Sequence, residues 1–283
     1  MRYLAIGHIC QDVLPSGRAL GGTVTYSTLT ARALGWTALA VTRAHPRLDL
    51  SLLRDVECIC IPDEVTTTFE NIYREPGRVQ VLRAAAGPIR RGDIPPEFRN
   101  ADVIHLAPVA REIDPELAQA FTGTFIGVTP QGWLRRWDAS GHVSPRDWSE
   151  AGAILPHADA IVLSIDDVGG GWARIERWAE IARVLVVTQA REGCTVYTRG
   201  RSMRVPAPAV VEVDPTGAGD IFAAAFFAHL RTTGDPLDAA RFANCIAAHS
   251  VTRRGVEGVP TIREVKDCEG DQHSAGAGHL TPI

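Results

Sequence analysis

The chain has 283 residues, of which 45% are apolar, 22% charged and 6% aromatic, enough to bury a core in one large α/β domain or two small ones. Twenty-nine Lys and Arg against 33 Asp and Glu leave a formal charge of −4, which argues against a nucleic-acid partner, because neutralising phosphates needs a basic face. The apolar fraction excludes a largely disordered chain, and no run approaches the roughly 20 apolar residues of a membrane-spanning helix; the longest unbroken run is Ile221 to Ala228.

In chain order, Tyr3–Ile9 reads as a strand and not as a secretory signal. Thr25–Leu34 has helical spacing and stops at Gly35, and Thr37–Thr42 is the next strand. Thr66–Tyr73, a Glu75-Pro76-Gly77-Arg78 turn and Val79–Ala85 form a hairpin that interrupts the rhythm; it is either a lid or a sheet edge. Thr66, Thr68 and Glu70 alternate onto one of its faces and Asn71 onto the other, and a polar lid face would touch a polyol. Further buried strands are expected at Val103–Leu106, Phe125–Val128, Ala160–Leu163 and Val184–Thr188, with helices at Pro115–Phe121 and Trp172–Ile181. Gln131 to Asp138, rich in Trp and Arg, is either a cleft entrance or a surface loop anchored by Trp133 and Trp137. Short apolar strands separated by helices predict βαβ units, hence a mainly parallel sheet covered on both faces. From Asp267 the chain turns polar and reads as a C-terminal tail, 267–283.

Six cysteines (Cys10, Cys58, Cys60, Cys194, Cys245, Cys268) show no Cys-x-x-Cys spacing, which suggests reduced thiols in a cytoplasmic protein. Cys58 and Cys60 share a strand face, yet no His or further Cys lies near in sequence to complete a metal site. The nine histidines show no paired ligand spacing, so no protein-bound transition metal is expected.

Chemistry concentrates between Val211 and Leu230. A short strand ending at Val213 leads into Thr216-Gly217-Ala218-Gly219, which opens a helix running to about Arg231 and stopping near Gly234. Small residues there let backbone approach a ligand, and the helix N-terminus presents unpaired N–H groups, an anion site suited to a phosphate whose charge grows during transfer. Asp220 in the first turn is either a helix-end carboxylate or a base that removes a hydroxyl proton while a phosphoryl group arrives.

Asp214-Pro-Thr-Gly-Ala-Gly-Asp220 closely resembles the C-terminal signature of the ribokinase-like (PfkB) family of carbohydrate and nucleoside kinases. Gly21-Gly22 with the helix to Gly35 is similar to that family's glycine-pair signature, and Gly7 to Asp12 and Phe242 to Thr252 also fit, so the likeness spans residues 1 to about 265. It implies a three-layer αβα fold with a mainly parallel central sheet and a small β lid, a single kinase domain over 1–266 with lid elements at about 11–22 and 57–88. It implies Asp220 as catalytic base and the Gly217, Ala218 and Gly219 amides as anion hole. Asp12, Gly21, Gly22 and Tyr26 fall in the acceptor site, to which the hairpin residues Thr68 and Glu70 are added. Thr188, Thr216, Gly217, Gly219 and Asn244 fall near the nucleotide. Asp214, with the Thr216 carbonyl, matches part of a monovalent-cation site, for potassium, in some members, and Asp167 takes the acidic magnesium-related role.

Departures bear on substrate. Cys10 and Tyr26 stand where ribokinase-type members carry Asn, which penalises ribose because a polar pocket must pair its substrate's groups. The Asn-x-x-Glu motif appears as Ser164-Ile-Asp-Asp167, and Ala190 replaces a glycine. The expected activity is ATP- and Mg2+-dependent phosphorylation of a small polyhydroxylated molecule, the pattern being closer to the myo-inositol kinase branch, with a homodimer through the lid as expected partner. The alternatives are a nucleoside kinase or a catalytically silent relative that binds nucleotide or sugar. A dinucleotide-dependent dehydrogenase would need Gly-x-Gly-x-x-Gly after the first strand; after Gly7 the next glycine is Gly17.

Overall fold

Continuous apolar runs such as Tyr3-Leu-Ala-Ile6 and Val103-Ile-His-Leu106 bury both faces of a strand, and the chain stacks such runs into one large sheet. The structure, a computed structural model, describes residues 1–15, 17–74 and 77–275. In chain order its elements are β1 (Arg2–Ile6), β2 (Cys10–Leu14), β3 (Gly17–Gly21), α1 (Thr23–Ala33), β4 (Thr37–Ala44), β5 (Glu57–Pro62), β6 (Thr68–Arg74), β7 (Gly77–Ala84), β8 (Val103–Leu106), β9 (Phe125–Val128), β10 (Arg135–Trp137), β11 (Val143–Pro145) and α2 (Ala151–Ile154). They continue as β12 (Ala160–Ser164), α3 (Trp172–Ala179), β13 (Val184–Thr188), β14 (Cys194–Thr198), β15 (Arg201–Val205), α4 (Ala218–Thr233), α5 (Pro236–Ser250) and α6 (Ile262–Ala275).

The nine-stranded sheet has the order β15-β14-β13-β12-β9-β8-β1-β4-β5. Pairing is parallel from β5 to β13 and antiparallel only at β14 and β15, so the expected mainly parallel, three-layer α/β architecture is what forms. Alternation along β1 shows the layers. Tyr3 and Ala5 join Val24, Phe226, Phe227 and Phe242 in one core, beneath α1, α4 and α5. Leu4 and Ile6 join Ile104, Trp133, Trp148 and Ile175 in the other. Each such side chain, fully withdrawn from water, contributes roughly 1.5–3 kcal/mol. Among the described residues no helix is long and apolar enough to cross a membrane.

A second sheet, β3-β2-β6-β7, stands over the carboxyl ends of the parallel strands, the edge where open α/β sheets bind ligands. His8 fixes it there. Its Nδ1 lies 2.7 Å from Thr67 Oγ1 and its Nε2 2.9 Å from the Gly87 carbonyl, while its backbone N–H donates to Glu112 Oε1 at 2.9 Å. The hairpin therefore belongs to this second sheet, called the lid below for its position, and not to the edge of the main sheet. The expected lid range 57–88 is corrected at its start, because Glu57–Pro62 pairs in parallel with β4 and belongs to the main sheet. Of the expected turn, Glu75 and Pro76 lie outside the described residues.

Other local expectations change. Pro115 to Phe121 forms only a short 3-10 turn at Pro115–Gln119, started by Asp114, whose carboxylate accepts the Glu116 N–H at 3.0 Å. No strand ends at Val213, the preceding strand β15 having stopped at Val205. Val211 and Val213 are exposed, and the segment is held by the Val213 N–H donating to the Val251 carbonyl at 2.7 Å. The tail does not begin at Asp267, since α6 continues through it and Cys268 is buried; residues 276–283 lie outside the described residues. The expectation of uniformly reduced thiols fails at Cys245 and Cys268, which form a disulfide between α5 and α6 with Cα atoms 5.8 Å apart. Packing of the two helices places the thiols together across 23 residues of sequence, a proximity that Cys spacing does not encode.

Candidate active site

A cleft of about 840 Å³ opens between the lid and the carboxyl edge of the main sheet. Its floor is the start of α4. Gly217 caps that helix in a left-handed conformation, φ 80°, which a glycine adopts without steric cost. A Cβ there would overlap the ring of Tyr26, which packs directly on the turn. The N–H groups of the first helical turn lack partners within the helix and carry its positive end. Gly217, Ala218 and Gly219 all line the cleft, although the Ala218 N–H closes a turn onto the Pro215 carbonyl at 3.2 Å.

Asp220 follows in the same turn and lines the cleft. Its Oδ1 accepts a hydrogen bond from Thr23 Oγ1 at 2.7 Å. Burial pushes its carboxyl up to about 6, opposed by Thr23 and Arg135 and reinforced by the carboxylates of Asp167 and Asp12. A carboxyl tuned toward neutrality can hold or release a proton at working pH.

Opposite α4, Cys10, Asp12, Gly22, Thr23 and Tyr26 form one wall of the cleft. Gly21 lies behind it, where a Cβ would strike the Asp12 carboxylate; glycine is required there so that β3 can pass Asp12. Burial raises both the Cys10 thiol and the Tyr26 phenol well above their ordinary ranges, with nearby carboxylates adding to the effect, so both are neutral.

The lid contributes a face other than the expected one. Phe69, Asn71 and Gln80 line the cleft, with Gln80 Nε2 donating to Asn71 Oδ1 at 3.1 Å. Glu70 instead pairs with Arg83 at 2.5 Å, and Thr68 Oγ1 donates to the Thr66 carbonyl at 2.8 Å. Neither lines the cleft. Side chains alternate along a strand, so choosing the wrong face exchanges Thr68 and Glu70 for Phe69 and Asn71.

Gln131 and Arg135, from the segment left open between entrance and surface loop, also line the cleft. Trp133 is the anchor, buried and donating from Nε1 to the Ile113 carbonyl at 3.1 Å, and β10 then carries Arg135 inward over the Phe69 ring, 5.6 Å from its centroid. Arg135 places a cation among Asp220, Asp167 and the Cys10 thiol. Sequence reasoning noticed the Trp and Arg mixture without separating these roles.

At the other end of the cleft, Thr188, Ala190, Thr216 and Asn244 line it beside an apolar strip of Ala207, Pro208, Val210, Ala247 and Val251. Ala190 has φ 49°, so the replaced glycine left its left-handed backbone behind. Asn244 Nδ2 donates to the Val205 carbonyl at 3.0 Å and the Pro206 carbonyl at 3.3 Å, bracing this wall.

The two expected metal-related carboxylates stand behind the lining. Asp167 Oδ2 accepts the Ser164 N–H at 3.0 Å, and burial raises its carboxyl, opposed by Arg135, Ser164 and Gln131. Asp214 accepts the N–H groups of Thr216 at 2.9 Å and Gly255 at 3.0 Å. Burial works against its charge, yet those bonds and Arg254 hold it below the usual carboxylate range.

Residues 150–262 match the model of the pfkB family of carbohydrate kinases. An inositol 3-kinase of Zea mays is 28% identical over 89% of this chain and 73% of its own length. A cytidine kinase of Thermococcus kodakarensis is 28% identical over 83% of this chain and 90% of its own. In fold, the chain resembles a pyrophosphate-dependent kinase in the ribokinase family, solved with a pyrophosphate analog and myo-inositol, with TM-score 0.78 at 22% identity, covering 94% of this chain and 99% of that one.

Proposed function

We propose that the chain belongs to the pfkB family of carbohydrate kinases, whose model residues 150–262 match, and that it is an ATP-dependent kinase of a small polyol, with a cyclitol such as myo-inositol as the favoured acceptor. The observation that carries this reading is Asp220, a partly buried carboxyl raised to about 6 in the first turn of α4, beside the glycine-capped helix end. Asp220 takes the proton of the acceptor hydroxyl as its oxygen attacks the terminal phosphorus in line, and Thr23 holds the carboxylate in position. The helix N-terminus at Gly217 to Gly219 receives the negative charge of the transferring group.

Asp12, Asn71 and Gln80 present a carboxylate and two amides to acceptor hydroxyls from the wall and the lid. Cys10 and Tyr26 narrow the same site with neutral groups. The apolar strip at Ala207, Pro208 and Val210 supports a donor with a flat base, hence ATP. Magnesium, bound with the donor, would supply neutralisation of its phosphates and needs no all-protein cage; Ser164 on the cleft lining, with Asp167 behind it, would meet its water shell. Asp214 and Thr216 suit a monovalent cation, because Asp214 stays ionised, held by the Thr216 and Gly255 N–H groups and the Thr216 side chain. Such a kinase works where ATP is abundant, hence a cytoplasmic location. Exposed Leu14 and Val79 on the lid support a homodimer formed through it, which sedimentation would detect.

The test is phosphoryl transfer measured across cyclitols, pentoses, hexoses and nucleosides, with ATP and with pyrophosphate, in potassium and in choline buffers. Myo-inositol with ATP is expected to give the highest kcat/KM. Turnover only with a nucleoside would replace the acceptor, and turnover only with pyrophosphate would replace the donor. Transfer to no acceptor by the wild type would leave a silent binding protein.

A further inference from the structure

The chain holds a second cluster of reactive side chains, away from the cleft. Cys245 and His249 sit one turn apart on α5, and Cys268 projects from α6, so that one ligand atom from each lies within 4.8 Å of the other two. Spacing i, i+4 puts two ligands on one helix face, and Cys268, 23 residues on in sequence from Cys245, completes the set from the packed neighbour. It is the one group of three or more metal-type ligands among the described residues. The cleft residues Asn244, Ala247 and Ala248 occupy other faces of α5.

We propose that Cys245, His249 and Cys268 form a redox-gated site for a thiophilic divalent cation, with Zn2+ as the type ion. Two thiolates and one imidazole are a Cys2His donor set with the fourth position left for water, the open form of a tetrahedral zinc site. Bond lengths of about 2.3 Å to sulfur and about 2.0 Å to nitrogen put the ligand atoms of such a site roughly 3.5–3.8 Å apart, so the two sulfurs, bonded to each other here, would move apart on reduction and stay within the 4.8 Å that the three ligand atoms share. The ring has an outer support. His249 Nδ1 lies 3.7 Å from Glu264 Oε1, and Glu264 is fixed by Arg253 at 2.6 and 3.0 Å and by the Thr261 N–H at 2.8 Å. Carboxylates behind metal-bound histidines orient the ring in this way. Cys245 and His249 are part exposed, which gives an entry path, while Cys268 is buried.

In the structure the two sulfurs are joined, which is the closed state of the same site. An external dithiol opens it: the S–S bond takes two electrons and two protons to give two thiols, and the dithiol becomes its own disulfide. Zn2+ then forms two Zn–S bonds and one Zn–N bond, and the two thiol protons leave to solvent. Re-oxidation by a small disulfide reverses both steps and expels the metal. Either state clamps α6 onto α5, so the exchange trades one crosslink for another.

Cobalt(II) titration of the full chain tests this, since thiolate ligation gives an ultraviolet charge-transfer band and tetrahedral geometry an intense visible band. Dithiol-reduced protein is expected to take one Co2+ per chain, displaced by Zn2+, and oxidised protein to take none. Cys245→Ser should abolish the bands, and His249→Ala should weaken binding at least tenfold while the thiolate band persists. The double variant Cys58→Ser with Cys60→Ser should bind as the wild type does. Should Cys245→Ser fail to fold, His249→Ala, at a part-exposed position, still decides. No stoichiometric uptake by reduced protein, equal uptake by oxidised protein, or bands that vanish with Cys58 and Cys60 would each overturn the proposal.

Discussion

Thr23 Oγ1 donates a 2.7 Å hydrogen bond to Asp220 Oδ1, tying the first residue of α1 to the first turn of α4 across 197 residues. That bond favours the charged carboxylate, whereas burial, the largest influence, favours the neutral acid and wins, leaving Asp220 near 6. A base must be deprotonated to act, so kcat/KM should rise with pH through a midpoint near 6 and fall about tenfold per pH unit below it. Asp220→Asn should lower kcat by about 10²- to 10⁴-fold. A wild-type profile that stays flat between pH 5 and 7 would remove Asp220 from the role of base.

The same shift bears on stability with a definite sign. Folding raises the Asp220 carboxyl from its ordinary 3.8 to about 6, so the native state binds the extra proton between those values. Stability from this group is present at low pH and lost as pH rises through 6. A carboxamide in its place would carry no charge and could still accept from Thr23. Asp220→Asn is therefore expected to melt above the wild type at pH 7.5, with the gap closing toward pH 4. An inactive variant that is more stable than the parent at neutral pH is the signature of a strained functional carboxyl.

How far the sequence leads can be seen at particular residues. β8, β9 and β13 appear with their expected bounds, because apolar runs buried on both faces have no competing reading. The α4 turn was legible because Gly217 and Asp220 sit within four residues of each other. The lid face was not. Alternation along β6 separates two faces but does not say which one meets the cleft; that depends on β2 pairing in parallel with β6, Asp12 opposite Phe69. Arg135 was hidden for a similar reason, since its inward path depends on where buried Trp133 anchors the loop. Cys245 and Cys268 meet only through helix packing.

Gly217→Ala separates the anion site from its neighbour. Alanine costs roughly 1–2 kcal/mol in a left-handed conformation, and its methyl would collide with the Tyr26 ring. The variant should lose transfer activity by at least tenfold, since displacing the helix start misplaces the amides. Tyr26→Ala in the same chain would empty the space the methyl needs and should restore part of the rate. Equal activity of wild type and Gly217→Ala would show that this turn does not contact the transferring group.

Asn71 and Gln80, joined side chain to side chain at 3.1 Å, present amides to the cleft from the lid and lie apart from the α4 floor. Asn71→Ala should raise the acceptor KM about tenfold, the effect of one lost hydrogen bond in a polar site with its partner left unpaired, with kcat nearly unchanged. Glu70→Ala, on the other face, should leave KM where it was. Steady-state kinetics with varied acceptor and saturating donor distinguishes the two, and a larger effect at Glu70 than at Asn71 would mean the lid presents its opposite face to substrate.

Glu112 is the buried carboxylate on which the lid and the sheet edge both depend. It accepts the N–H groups of His8 at 2.9 Å, Val109 at 3.0 Å and Ala110 at 2.7 Å, drawing the segments after β1 and β8 onto one charge. Removing it leaves three buried donors without an acceptor, each costing about 1–3 kcal/mol if water does not replace it. Glu112→Ala is thus expected to destabilise the fold by about 3 kcal/mol or more, a fall in Tm on the order of 6–12 °C for a domain of this size. Glu112→Gln keeps one carbonyl oxygen but turns an NH2 group toward those donors, so it should recover only part of the loss. Because His8 also holds Thr67 and Gly87, either variant should raise the acceptor KM at temperatures where the fold is intact, as the lid loses its fixed position over the cleft. A Glu112→Ala protein that melts within about 2 °C of the parent, well short of that expected fall, would mean that water satisfies these N–H groups and that the lid is held by the His8 ring alone.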